Sequence, residues 1–222
     1  MSSTPLPPHA LSYIPMTSQK PLIVGISGGS AAGKTTVANL MAEKLAEFNP
    51  SILGVDRYFK DHSDLTDEEK AGLNYDIPEA LDFVQLAEDL EALRQGRPAR
   101  VPEYDYANHS SIPAAAAIEP SRIVIVEGIL LFHPADIKPL IGYRIYVEAQ
   151  REERLRRRIA RDVAERGRSQ ESVIRQFNGT VEPAYLEYTA PTRGEADYIL
   201  AWDAMNHEAI GHVCALIRAK ML

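Results

Sequence analysis

The sequence predicts an α/β fold in which a mostly parallel sheet is covered by helices on both faces. Short apolar, β-branched segments alternate with amphipathic helical segments along the chain. A glycine-rich turn stands between the first such strand and the first helix. The length of 222 residues, of which 45% are hydrophobic, suits one large domain. Strands that alternate with helices form parallel sheets, because each parallel return needs a crossover connection.

The first half of the chain is predicted to contain two strands and two helices. Residues 21–27 form a short apolar run that is typical of a buried strand. The helix predicted over 35–48 carries apolar residues on one face and is stopped at Pro50. A second strand is predicted over 51–55. The helix predicted over 80–95 also has one apolar face and ends at a glycine.

The segment 100–118 is predicted to form a small peripheral β-hairpin. Its two extended segments are Arg100 to Tyr106 and Ile112 to Ile118. Four successive alanines in the second segment favour helix locally. The prolines that flank them leave too few residues to nucleate a helix, so a strand is predicted.

The second half of the chain repeats the alternation of strand and helix. Strands are predicted at 122–126, 142–147 and 197–201, and helices at 150–166, 170–178 and 206–221. The domain organisation is therefore an N-terminal arm with little regular structure over 1–20 and one α/β domain over 21–222. An arginine-rich lid is predicted within that domain over about 150–178.

Composition restricts the partners and the compartment. The formal net charge is −7 and the isoelectric point is near 5.4, whereas a nucleic-acid partner calls for a basic face. No apolar run approaches the ~20 residues that span a bilayer. Cys214 is the single cysteine, which fits a reducing, cytoplasmic setting. We therefore expect a cytoplasmic protein with no nucleic-acid partner and no membrane contact.

A phosphate-binding loop follows the first strand. The segment matches the pattern G-x-x-x-x-G-K-[ST], in which glycines let backbone N–H groups surround phosphate oxygens at the start of a helix. Lys34 is expected to reach the β- and γ-phosphates, and the Thr35 hydroxyl to ligate Mg²⁺. A chance glycine-rich turn is the alternative, which the flanking strand and helix disfavour. The nucleotide-binding residues are Gly28, Gly29, Ser30, Ala31, Ala32, Gly33, Lys34, Thr35 and Thr36.

Two acids follow predicted strands and should lie at the same edge of the sheet, where parallel sheets bind ligands. Glu127 is a candidate Mg²⁺ ligand, directly or through water, and a strand-end surface charge is the alternative. Asp56 is a candidate base for an attacking alcohol, and from spacing alone a turn cap is an equal alternative. Gly28 and Glu148 also follow strands, so some of these four positions should converge on one cleft.

The helix predicted over 150–166 is unusual because eight arginines lie between residues 151 and 168. Arg154, Arg158 and Arg161 fall on one face, beside an apolar stripe that is expected to dock the helix on the core. Phosphoryl transfer needs positive charge near anionic oxygens, so these arginines are candidates for a closing lid. A solvated helix whose arginines pair with local acids is the alternative, and it is expected for Arg151, Arg154 and Arg156.

Several separate motifs together resemble the uridine (uridine–cytidine) kinases of the phosphoribulokinase/uridine kinase group. The resemblance runs from about residue 21 to residue 199. The motifs are GGSAAGKTT, VDRYFKD, NYDIPEALD, PEYDYANH, VEGILLF, and RRIARDVAERGRS followed by Gln176 and TVEPAY. The resemblance implies the P-loop NTPase fold and an ATP-dependent (or GTP-dependent), Mg²⁺-requiring transfer to the 5′-hydroxyl of uridine or cytidine, as in pyrimidine salvage. It also implies a homo-oligomer, either a tetramer or a dimer.

The same resemblance implies individual roles. Asp56 would be the catalytic acid/base and Lys34, Arg161 and Arg168 would act on the transferred phosphoryl group. Arg166 would lie with them over the donor phosphates, and Glu127 would belong to the Mg²⁺ shell with Thr35. The implied nucleoside-binding residues are Asp76, Tyr104, Tyr106, His109, Ile129, Arg158 and Gln176. Without the resemblance, hairpin packing is the favoured interpretation of the two tyrosines and His109, and Asp76 could be only a turn residue.

Three departures from the family pattern bear on the acceptor and the donor. Arg57 stands where a small polar residue is usual, and Ile77 stands where histidine is common. The segment 201–206 replaces a Pro-x-Gly stretch, and its Trp202 could stack on a donor base or pack in the core. A related kinase acting on a phosphosugar or a vitamin riboside is one alternative function. A non-catalytic nucleotide-binding regulator is another, although it would have no use for Asp56, Asp76 and His109 together.

Overall fold

The computed structural model describes residues 20–222, and the predicted arm over 1–20 lies outside these residues except for Lys20. Five parallel strands form the central sheet in the order β2-β5-β1-β6-β7. The strands are β1 (Leu22–Ser27), β2 (Ser51–Gly54), β5 (Ile123–Glu127), β6 (Tyr143–Glu148) and β7 (Tyr198–Ala201). The predicted mostly parallel α/β fold is confirmed.

A separate antiparallel pair forms the predicted hairpin. β3 (Ala99–Asp105) pairs with β4 (Ser110–Ile118), and the register shifts between Val101 and Glu103. The alanines that favour helix locally lie in β4, where Ala116 opposes Val101. Cross-strand pairing therefore overrides their helix propensity, as the flanking prolines predicted.

Helices cover both faces of the sheet. The main ones are α1 (Lys34–Lys44), α3 (Phe83–Arg94), α4 (Arg151–Arg166) and α7 (His207–Lys220), with shorter helices α2 (Asp67–Ala71), α5 (Gln170–Gln176) and α6 (Glu182–Ala184). α3 starts later than predicted because the Asp82 side chain caps it, accepting from the Gln85 N–H at 3.0 Å. α2 and the helical turns between α5 and β7 were not predicted. In the part of the chain that the structure describes, no helix is long and apolar enough to cross a membrane.

The core lies on both sides of the sheet because alternate strand residues point to opposite faces. Val124 and Val126 of β5 pack in one buried cluster with α3 and the hairpin. Ile123 and Ile125 of the same strand pack in the other, with α1 and α7. Both clusters end at the carboxyl edge of the strands, where the loops after β1, β2 and β5 meet. This edge carries the polar residues of the candidate site.

Candidate active site

The loop between β1 and α1 is held in a conformation that needs glycine at two positions. Gly28 has φ of 149°, and a Cβ there would lie 2.3 Å from the Val147 carbonyl oxygen of β6. Gly33 has φ of 104°, and a Cβ there would lie 2.6 Å from the Trp202 ring. Any larger residue at either position would collide with backbone or with a buried ring. The loop therefore wraps closely enough for its N–H groups to surround a phosphate.

Lys34, the first residue of α1, is buried beneath this loop. Its Nζ donates to the Gly29 carbonyl at 3.0 Å. Burial lowers the pKa of the lysine, while the nearby carboxylates of Glu127 and Asp56 oppose that shift by favouring its charged form. The ammonium group thus lies in a poorly solvated position, where its attraction for a phosphate is strongest.

Thr35 and Glu127 lie side by side. The Thr35 hydroxyl donates to Glu127 Oε1 at 2.8 Å. Burial raises the pKa of Glu127, and the Lys34 charge acts against that rise. Hydroxyl and carboxylate oxygens suit Mg²⁺, which in phosphoryl-transfer sites takes one or two protein ligands beside water and phosphate oxygens. The pair therefore fits the metal that the resemblance implies.

A cavity of about 300 Å³ opens above the loop and reaches Asp56. Lys34, Thr35, Glu127 and Asp56 share its wall, and its other lining residues are Ser30, Ala31, Gly33, Thr36, Ile129, Arg157 and Arg161. Residues that follow the strands were predicted to converge on one cleft, and Asp56 and Glu127 do so in this cavity. Glu148 does not line the cavity, and its carboxylate accepts from Arg193 Nε at 2.6 Å.

The hairpin tip contacts the cavity wall at Asp56. The Tyr106 hydroxyl donates to Asp56 Oδ2 at 3.2 Å. Tyr104 lies behind Tyr106, with their ring centroids 5.1 Å apart, and its hydroxyl lies 3.0 Å from that of Tyr75. The Tyr75 hydroxyl also contacts His109 Nδ1. Tyr75 was not predicted to belong to the site. Its two partners, Tyr104 and His109, lie on the hairpin and are brought to it only by the fold.

Asp76 lies in the same region and faces the arginines of α4. Burial raises the pKa of its carboxyl, and the Arg158 guanidinium is the main group that opposes this. Asp56 and Lys34 are also close enough to influence it. The structure therefore brings Asp76 together with the acid and the lysine predicted for catalysis.

α4 docks on the core by a charged face, and the predicted docking through its apolar stripe was wrong. The buried residues of the helix are Arg154, Arg158 and Asp162, whereas Val163 is 43% exposed. Arg154 was also wrongly expected to be solvated: it is 2% exposed and binds Glu182 at 2.8 Å. Sequence periodicity alone does not show whether the charged face or the apolar face of α4 is buried. The groups that bind the charged face, such as Glu182 and Ser30, lie far away in sequence.

Asp162 organises the predicted lid arginines. Its side chain is fully buried, and four guanidinium groups approach it within 4 Å. They belong to Arg158 (3.6 Å), Arg161 (2.8 Å), Arg166 (3.5 Å) and Arg168 (3.6 Å). One carboxylate cannot balance four guanidinium groups, so the cluster has an excess of positive charge. That excess lies against the phosphate-binding loop, because Arg158 Nη1 donates to Ser30 Oγ at 2.7 Å.

The other predicted lid and nucleoside residues are placed around this cluster. Gln176 uses its Oε1 to accept from both Arg158 and Arg168, so it positions these arginines. Arg166 lies over the ring of Tyr106, with its guanidinium 5.6 Å from the centroid. Ile129 and Arg161 line the cavity, whereas Arg168 lies beside α5 and donates to Ser172 Oγ at 3.0 Å. The helix ends at Arg166, and the left-handed backbone of the following Gly167 lets Arg168 turn back toward Asp162.

Arg157 lines the cavity but was not predicted to belong to the site. Its guanidinium donates to the Ala32 carbonyl at 2.9 Å and to the Trp202 carbonyl at 2.7 Å. It therefore links α4 to the phosphate-binding loop and to the segment after β7. Nothing in the spacing of the arginines separates it from its exposed neighbour Arg156.

The three departures from the family pattern, at Arg57, Ile77 and Trp202 of the segment 201–206, have local structural roles. Arg57 donates to the Pro102 carbonyl at 3.3 Å, which ties the turn after β2 to the hairpin. Ile77 packs against the buried cluster on the α3 side of the sheet. Trp202 is 3% exposed and packs against Gly33 and the core. This burial favours a packing role for Trp202 over stacking on a donor base.

The phosphate-binding loop, its buried lysine and the strand-end acids define a P-loop kinase. The model of the Phosphoribulokinase / Uridine kinase family matches residues 23–207. This chain belongs to that family.

Relatives support the same assignment along nearly the whole chain. It is 41% identical over 201 residues to the uridine kinase of Chloroflexus aggregans, covering 90% of this chain and 96% of that protein. It is 42% identical over 188 residues to the uridine kinase of Staphylococcus haemolyticus, covering 85% and 91%.

Solved structures share the fold at low identity. The phosphoribulokinase of Rhodobacter spheroides aligns with a TM-score of 0.59 at 16% identity, covering 83% of this chain and 71% of that one. The D-glycerate 3-kinase of Cryptococcus neoformans aligns with a TM-score of 0.53 at 18% identity, covering 75% and 78%. These similarities confirm the P-loop kinase fold.

Proposed function

We propose that this protein transfers the γ-phosphoryl group of ATP to the 5′-hydroxyl of uridine or cytidine. The observation that carries the proposal is that Asp56, Lys34 and Glu127 line one cavity, with aromatic and polar hairpin residues beside Asp56. The uridine kinases that match this chain at about 40% identity do so over nearly their full length, which supports the same acceptor.

The donor side of the cavity suits a nucleoside triphosphate. Backbone N–H groups of residues 28–35 and the Lys34 ammonium would bind the phosphates. Thr35 and Glu127 would hold Mg²⁺, which, when bound with the nucleotide, neutralises charge on the phosphate oxygens. Arg161 lines the cavity and would add positive charge as the transition state spreads over the transferred group.

Asp56 would act on the acceptor. Its Oδ2 accepts from the Tyr106 hydroxyl, which leaves Oδ1 for the nucleoside 5′-hydroxyl. As the 5′-oxygen bonds to the γ-phosphorus and the bond to the β-phosphate oxygen breaks, the hydroxyl proton passes to the carboxylate. The products are the nucleoside 5′-monophosphate and ADP.

The ribose and the base would extend away from Asp56 along the hairpin. Asp76 has a carboxylate to accept from ribose hydroxyls, and Arg158 lies close to it. The rings of Tyr106 and Tyr104 offer apolar faces to a base, and the hydroxyl of Tyr104 and the imidazole of His109 offer polar edges. Arg57, the basic residue that a phosphorylated acceptor would call for, is bound to the Pro102 carbonyl, which argues against a phosphosugar.

Replacing Asp56 by Asn tests the proposed base. Asn cannot take the proton, so kcat for uridine should fall by roughly 10²–10⁴-fold. The affinity for ATP should change little, because the donor is bound on the other side of the cavity. Steady-state kinetics and ATP binding by calorimetry measure both effects. A kcat within a few-fold of wild type would make Asp56 a turn cap, and weakened ATP binding would place it on the donor side.

A further inference from the structure

The side chain of Ser30 links the phosphate-binding loop to α4. Its Oγ accepts from Arg158 Nη1 at 2.7 Å, and Ser30 also lines the cavity. A guanidinium carries only donors, so the direction of this bond is fixed, with Arg158 donating and Ser30 accepting. The Ser30 hydroxyl proton is therefore left for another acceptor, and among residues 20–222 it has none.

Arg158, the partner of Ser30, also acts on Asp76. Arg158 is 6% exposed, and its Nη2 donates to Gln176 Oε1 at 3.0 Å. Burial raises the pKa of the Asp76 carboxyl, and the charge of Arg158 opposes that rise, so Arg158 favours the carboxylate form. Its Nε is buried and has no hydrogen-bond partner in the part of the chain that the structure describes. Arg158 therefore connects Ser30 of the loop with Asp76.

The two ends of this connection would meet different substrates under the proposed function, on which this inference rests. The loop would bind the donor phosphates, and Asp76 with Arg158 would bind the ribose. A phosphate oxygen in the loop is a strong acceptor for the free proton of the Ser30 hydroxyl. One hydroxyl group would then donate to the donor nucleotide and hold the arginine that meets the acceptor.

A hydrogen-bond chain of this kind couples the two binding sites. A hydroxyl that donates to an anion becomes a better acceptor, because successive hydrogen bonds polarise one another. A bound phosphate would also fix the rotation of the Ser30 hydroxyl, with its proton on the phosphate and its lone pair toward Arg158. Coupling between sites is reciprocal, so the nucleoside would tighten the nucleotide by the same factor. We propose that Ser30 is a positioning residue through which a bound donor nucleotide tightens the binding of the nucleoside.

The coupling is measured as the ratio of the uridine Kd without donor to the uridine Kd with a saturating non-hydrolysable ATP analogue and Mg²⁺. Isothermal titration calorimetry on the full chain gives both constants. We expect a ratio of about 5 or more in the wild type, the lower end of typical coupling between sites. In Ser30→Ala the ratio should fall toward unity. A uniform loss of nucleotide affinity does not change the ratio, because the analogue is kept saturating.

Two further variants control for side-chain shape and for the loss of a serine. Ser30→Thr keeps the hydroxyl and should keep most of the wild-type ratio. Ser51→Ala removes a hydroxyl at the amino end of β2, where it donates to the Glu119 carbonyl at 3.0 Å, and should leave the ratio unchanged. Loss of the ratio in Ser30→Thr as well as in Ser30→Ala would contradict the assignment of the coupling to the hydroxyl.

The outcomes separate this inference from the function on which it rests. A ratio near unity in the wild type, or an unchanged ratio in Ser30→Ala, would overturn the role of Ser30 and leave the kinase function standing. A wild-type protein that binds the ATP analogue but no uridine or cytidine, with or without the analogue, would overturn the proposed function itself.

Discussion

At the scale of single residues, burial decides what each charged side chain contributes. Arg154 is 2% exposed and donates to both oxygens of Glu182, at 3.0 Å and 2.8 Å. Its guanidinium also lies over the Tyr185 ring, 4.0 Å from the centroid, and close to Gly29 of the phosphate-binding loop. A buried pair of this kind is costly to break, because the remaining charge stays out of water. Arg154 therefore supports the loop from behind, without lining the cavity.

Removing the carboxylate of this pair should destabilise the protein. For Glu182→Ala we expect a loss of ~3–5 kcal/mol in the free energy of unfolding, because Arg154 would be left buried and unpaired. Urea denaturation measures the loss. Glu91→Ala is the matched control, since it breaks an ion pair with Arg94 whose side chains are both about one third exposed. It should cost much less. Similar losses in the two variants would show that the Arg154–Glu182 pair is no more important than a surface pair.

At the scale of elements, α4 both docks on the core and carries the arginines proposed to act in phosphoryl transfer. Its inner face carries Arg154, Arg158 and Asp162, and Asp162 gathers the arginines that the sequence assigns to a lid. The glycine after the helix directs Arg168 back to the same carboxylate. Because these arginines share one buried acid, they should be positioned together.

Arginine variants on α4 separate its two faces. Arg161→Ala and Arg168→Ala should lower kcat more than they raise the KM for uridine, because lid charge acts mainly in the transition state. Removal of one charge-stabilising donor costs about 10²–10³-fold in kcat. Arg156→Ala is the control on the solvent face, where Arg156 is 69% exposed and bound to Glu153. Its kinetics should be near wild type. If Arg168→Ala weakened nucleoside affinity at unchanged kcat, Arg168 would belong to the acceptor pocket.

At the scale of the whole molecule, the sheet and the donor site could be predicted from sequence because both depend on local patterns. Apolar runs mark the strands, and the spacing of glycines and lysine marks the loop. The strand ends then place Asp56 and Glu127 together. Three features could not be predicted, because they depend on contacts between residues far apart in sequence. They are the docking face of α4, the hydroxyl contacts of Tyr75, and the link that Arg157 makes to the phosphate-binding loop. Helical turns between α5 and β7 were missed because Gly179, Pro183 and Pro191 interrupt the helical pattern.

The molecule as a whole is organised to bring a ribonucleoside and a nucleotide to the same edge of the sheet. Asp76 and Arg158 lie close together and are proposed to bind the ribose hydroxyls. A site built to bond a hydroxyl discriminates against an analogue that lacks it. Uridine should therefore be a much better acceptor than 2′-deoxyuridine. Asp76→Ala should narrow the difference, mainly through loss of activity on uridine.

The most direct test is to measure UMP formation from ATP and uridine, and to compare kcat/KM with that for 2′-deoxyuridine under the same conditions. We predict stoichiometric formation of UMP and ADP, with a preference for the ribonucleoside of at least ~10²-fold. Equal use of 2′-deoxyuridine would remove Asp76 from the ribose site. No transfer to uridine or cytidine by a protein that still binds ATP would contradict the proposed function and indicate a different acceptor.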